Sequence, residues 1–72
     1  MAVYCRQVAG DTDQTYTIAP HYDGQTDATL LGVKSQGAVD KGWAVEWVSP
    51  DSFTATKDRW GGVECVRTFW ID

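Results

Sequence analysis

The sequence predicts a mainly β (or α+β) domain, a small curved antiparallel sheet or barrel-like fold with at most one short helix. Three observations carry that reading. Apolar and polar residues alternate with a period of two over much of the chain. The alternating runs are separated by clusters of Gly, Pro, Asp and Ser, which favour turns. The chain has 72 residues, enough for a single domain spanning 1–72 and no second core.

In residues 2–8, Val3 and Cys5 alternate with Tyr4 and Arg6, as in a half-buried strand. Gly10-Asp11-Thr12-Asp13-Gln14 reads as a turn, and residues 15–19, rich in Thr, Tyr and Ile, as the second strand of a hairpin. Pro20 ends that strand because it has no N–H for the ladder. His21-Tyr22-Asp23-Gly24 then forms a loop. Residues 26–35 admit two structures. One is a short helix capped by Thr26 or Asp27, carrying Leu30, Leu31 and Val33, and stopped by Gly37. Gly32 weakens that helix by about 1 kcal/mol. The other is a strand from Thr29 to Ser35. Residues 38–42 read as a connection.

Residues 43–48 are the clearest strand. Trp43, Val45 and Trp47 point one way, and both Trp residues are expected in the core. Ser49-Pro50-Asp51-Ser52 fits a helical turn or a type I turn. Residues 53–60 and 63–71 form a last hairpin about Gly61-Gly62, where both positions can take positive φ. A two-residue loop there would set Arg59 opposite Glu64, but would leave Asp58 beside Cys65 and Thr54 beside Phe69. Shifting by one residue places Phe53 opposite Phe69 and Arg59 opposite Val63, with a bulge near Trp60. The second register is preferred, because burial outweighs an exposed ion pair worth about 0–1 kcal/mol.

Ten acids against six bases give a net charge of −4. Arg6, Lys34, Lys41, Lys57, Arg59 and Arg67 are scattered along the chain with no basic run, which argues against direct nucleic-acid binding. Asp11, Asp13, Asp23 and Asp27 fall in a stretch without a base and could present a negative face to a basic partner. Their plainer role is as turn residues kept in water. No signal peptide or membrane-spanning apolar run is evident, so a cytoplasmic location is expected. Cys5 and Cys65 are then expected as reduced, buried thiols, drawn towards each other if the terminal strands pair.

Catalysis needs a nucleophile with a base, paired carboxylates or a metal cluster. His21 is the single histidine and reads as a polar loop residue near Asp23. Asp11 and Asp13 lack the later Gly and Glu of a calcium loop. Hence no enzyme activity, cofactor or metal is expected. Four Trp, three Tyr and two Phe are more than so small a core can hide. Tyr22, Trp60 and Trp70 are the candidates for exposed interface anchors.

The order strand, Ser-Pro, two residues, Phe, return strand in Gly42-Trp43-Ala44-Val45-Glu46-Trp47-Val48-Ser49-Pro50-Asp51-Ser52-Phe53-Thr54-Ala55-Thr56 resembles a pattern recurring in short accessory proteins of tailed bacteriophages. The resemblance implies a non-essential phage protein made inside an infected bacterium. Such proteins often disable host defence or regulatory proteins, anti-CRISPR proteins among them. No functional residue is carried over.

The expected function is thus a small acidic, non-enzymatic protein-binding module, in phage terms an inhibitor of a basic, nucleic-acid-binding host complex. Asp11, Asp13, Asp23 and Asp27 would supply charge complementarity, and Tyr22, Trp60 and Trp70 would anchor. The alternatives are a glycan- or small-ligand-binding module and a structural piece of a viral assembly or homodimer.

Overall fold

The computed structural model describes residues 1–58 and 60–72, with Trp60 described by its backbone alone. The elements are β1 (Val3–Ala9), β2 (Thr12–Ile18), α1 (Asp27–Asp40), β3 (Ala44–Ser49), β4 (Ser52–Asp58) and β5 (Glu64–Ile71). A 3-10 turn at Trp60–Gly62 joins the last two strands. All five strands form one antiparallel sheet in the order β2-β1-β5-β4-β3, covered on one face by α1. The mainly β expectation is met by an open two-layer arrangement of sheet and helix.

The registers set which side chains meet. Cys5 lies opposite Tyr16 on one side and Phe69 on the other, and Phe69 lies opposite Phe53. Phe53 in turn faces Trp47. The preferred register of the last hairpin is therefore observed, and it stacks the Phe53 and Phe69 rings 4.6 Å apart. Gly61 and Gly62 both take positive φ, as expected for their turn. The expectations for Arg59 opposite Val63 and for the Trp60 side chain lie outside the described residues.

Of residues 26–35, all but the capping Thr26 are helical, and the helix is longer than expected. Thr26 Oγ1 accepts a hydrogen bond from Thr29 N at 3.2 Å, capping the first turn. Gly37 does not stop the helix, and residues 38–40 belong to it. The stop is Gly42, at φ 88°. Gly42 N donates to Val39 O at 3.0 Å and Trp43 N to Ala38 O at 2.9 Å. That pair of bonds is a Schellman motif, which needs a left-handed residue at the position Gly42 fills. The motif turns Trp43 back under the helix, where it is only 9% exposed. Leu30 and Leu31 supply the rest of the helix's buried face against Val3, Cys5, Phe53, Ala55, Cys65 and Phe69.

Two further expectations are corrected. Trp47 shares the inner face but is 47% exposed, because β3 is an edge strand. Asp13 and Gln14 lie in β2 rather than in the turn, which is reduced to Gly10 and Asp11 by the pairing of Ala9 with Thr12. Cys5 and Cys65 are buried and free, as expected, on neighbouring strands. Cys65 pairs with Ala9, four residues along β1 from Cys5, so the two thiols do not face each other.

Candidate functional site: a basic, aromatic cleft

Helix α1 packs on β1, β3, β4 and β5 and at most slightly on β2. The inner side of β2 is thus left uncovered, and a cleft of about 520 Å³ opens between it and the helix. Tyr16, Ile18 and His21 form the β2 side, and Lys34, Gly37 and Lys41 the helix side. Trp43, Ala55, Arg67 and Phe69 form the floor.

Each cation reaches the cleft for a local reason. Lys34 and Lys41 are seven residues apart, two helical turns or about 10.5 Å along one helix face. Arg67 stands on the inner face of β5, between Cys65 and Phe69 in the alternation. Its Nε donates to Gln7 Oε1 at 2.8 Å, and its guanidinium lies 4.5 Å from the Trp43 ring centroid. The hydrogen bond and the cation–π contact fix the guanidinium. Lys57 borders a smaller depression shared with Lys41, Trp43 and Arg67. Its Nζ donates to Lys41 O at 2.8 Å, so it serves the carbonyl end of the helix.

Among the described residues, no Asp or Glu lines the cleft. Burial pushes the Cys5 thiol above its ordinary value, while the Tyr16 hydroxyl, Arg67 and Lys34 pull it the other way. Bases scattered in sequence are therefore gathered in space, on one side of an acidic chain. Gly37 adds a further feature. A Cβ built there has nothing within 4 Å, so the helix backbone is bare where it borders the cleft.

The residues expected to bind a partner are placed differently. Asp11 is at the β1–β2 turn. Asp13 is on the outer sheet face, with Oδ2 2.7 Å from Arg6 Nη2, and Arg6 holds its carboxyl below the usual range. Asp23 and Asp27 lie beyond the other end of β2, a seven-residue strand about 20 Å long. The four acids form no common face. Tyr22, 59% exposed, does share its short segment with Asp23 and Asp27. Trp70 is half-buried on the outer face, stacked on Tyr4 at 5.7 Å. Among the described residues, no group of three or more His, Cys, Asp or Glu gathers as metal ligands. Among the described residues, no helix is long and apolar enough to cross a membrane.

Comparison with known proteins finds no match: no family model fits the chain, and no curated protein or solved structure is significantly similar to it.

Proposed function

We propose that this chain is a non-catalytic binding domain whose cleft between α1 and β2 takes a small anionic ligand with an apolar or ring-bearing part. The observation that supports this reading is the convergence of Lys34, Lys41 and Arg67, from two elements, on an aromatic-floored cleft without a carboxylate. Its volume lies in the range of small-molecule sites, about 300–1,000 Å³. Naphthalene-2-sulfonate, an aromatic anion, is a suitable probe. Titrated into the isotope-labelled chain, it should shift the backbone amides of residues 16–18, 33–41 and 67. The Lys34→Gln/Lys41→Gln variant should weaken that response several-fold. Shifts confined to the outer face, or none at millimolar probe, would remove the reading.

A second reading keeps the phage-inhibitor expectation and is favoured by one segment. Tyr22 is well exposed beside Asp23 and Asp27, an aromatic with acids suited to a basic protein surface. If it holds, a basic bacterial protein retained by the chain should dissociate faster from Tyr22→Ala, and associate more slowly with the Asp23→Asn/Asp27→Asn variant. Unchanged rates for both variants would dismiss it.

A further inference from the structure

We infer that the ligand of the cleft is a nucleoside monophosphate, a phosphate monoester carried on a planar ring system. This rests on the anion-binding reading above and specifies its chemistry. Arg67 is the starting point. With Nε committed to Gln7 and the guanidinium plane held by Trp43, its Nη groups have no protein acceptor among the described residues. A guanidinium fixed in this way matches two oxygens of a phosphate at once. Lys34 and Lys41 add charge at the rim, so the site favours a dianion over a monocarboxylate.

The size of the cleft argues for more than the anion. About 520 Å³ far exceeds a bare phosphate and suits a phosphate with an attached ring system. Tyr16, 44% exposed on the β2 wall, offers an aromatic surface to such a ring. Across from it, Gly37 leaves the helix wall without a side chain, which gives a flat ring room to lie against backbone. The net charge of −4 opposes a long polyanion, so a free nucleotide fits better than a nucleic-acid strand.

The test compares the four ribonucleoside 5′-monophosphates with adenosine, inorganic phosphate and citrate, each titrated into the full chain and followed by amide shifts. At least one nucleotide should bind tenfold or more tightly than either adenosine or phosphate, perturbing Tyr16, residues 34–41 and Arg67. Arg67→Lys, which keeps the charge and loses the fork, should weaken it at least tenfold, while Arg6→Gln on the opposite face should not. Gly37→Ala should melt no lower than the parent chain and bind several-fold more weakly. Gly37→Ala binding as tightly as the parent would overturn the role given to that wall. Citrate binding as tightly as the nucleotides would overturn the phosphate ester and leave the anion site standing. Phosphate binding equally well would overturn the ring. No response to any of them, with naphthalene-2-sulfonate also silent, would overturn both readings.

Discussion

The Arg67 guanidinium lies 4.5 Å from the centroid of the Trp43 ring, so the most buried Trp among the described side chains is also the platform for a cation of the cleft. Core and site are built on the same side chain. Truncating a buried Trp to Ala costs about 3–5 kcal/mol, and a core this small supplies a net stability of about the same size. Trp43→Ala is therefore expected to be largely unfolded at room temperature, and Trp43→Phe to be folded but weakened. Circular dichroism checks both. A native spectrum for Trp43→Ala would mean that Leu30 and Leu31 suffice to hold the helix.

Trp47, four residues further on in β3, should behave differently. It touches Phe53 with ring centroids 5.0 Å apart, yet is half exposed at the sheet edge. Trp47→Ser is expected to cost about 1 kcal/mol or less, against about 3–5 for Phe53→Ala. Urea midpoints measure the contrast; equal losses would place Trp47 in the core after all.

Gly32 lies inside α1, and an added Cβ there has nothing within 4 Å. Gly32→Ala should stabilise the helix by about 0.5–1 kcal/mol. For a domain of this size that raises the melting temperature by roughly 2–8 °C. A lower melting temperature would reveal a close approach absent from this packing.

The buried Cys5 thiol carries a pH dependence. Burial raises the Cys5 thiol above its ordinary value, and hydrogen bonding with Cys5 does the same for the Tyr16 hydroxyl. Both groups hold their protons longer in the folded chain than in the unfolded one. Stability should be level at neutral pH and should fall as pH rises past the unfolded thiol value towards the folded one. Urea midpoints taken from neutral pH upwards should show this, with a shallower decline in Cys5→Ala. Both thiols should resist a disulfide reagent until the chain is unfolded; rapid native labelling would contradict their burial.

Asp13 has the opposite sign. Arg6 lowers its folded value, so its contribution is present above the unfolded aspartate value and is lost as pH falls through the folded one. Both partners are exposed, so the effect is small and should disappear at molar salt. A carboxyl NMR titration of Asp13, with and without salt, reads this directly. A midpoint at or above the ordinary value in low salt would mean that the pair does not persist in solution.

Much of the sheet was legible because one buried face leaves little freedom. Phe53 and Ala55 had to join Cys65, Phe69 and Ile71, and only one register does so. The helix end was misplaced because Gly37 and Gly42 look alike as letters; only the bonds from Gly42 and Trp43 back to Val39 and Ala38 tell them apart. The exposure of Trp47 follows from its place at a sheet edge, which alternation does not encode. The cleft was hidden because its cations lie far apart in sequence. One sign was available: in residues 65–71 of β5, Arg67 occupies the apolar alternation of Cys65, Phe69 and Ile71, an expensive position for a charge unless a partner or ligand meets it.

The sheet order also governs how the chain reaches its native state. The pairing of β1 with β5 aligns Val3 with Ile71, and it joins the β1–β2 hairpin to the rest of the sheet. Local hairpins and the helix can form early, but this central ladder must close a loop of nearly the whole chain before any of its bonds form. Folding should therefore be slow for so short a protein, nearer milliseconds to seconds than microseconds. During synthesis β1 can pair with β2, but its other edge waits without a neighbour until β5 has emerged. In that interval Val3 and Cys5 are exposed to water and to other chains.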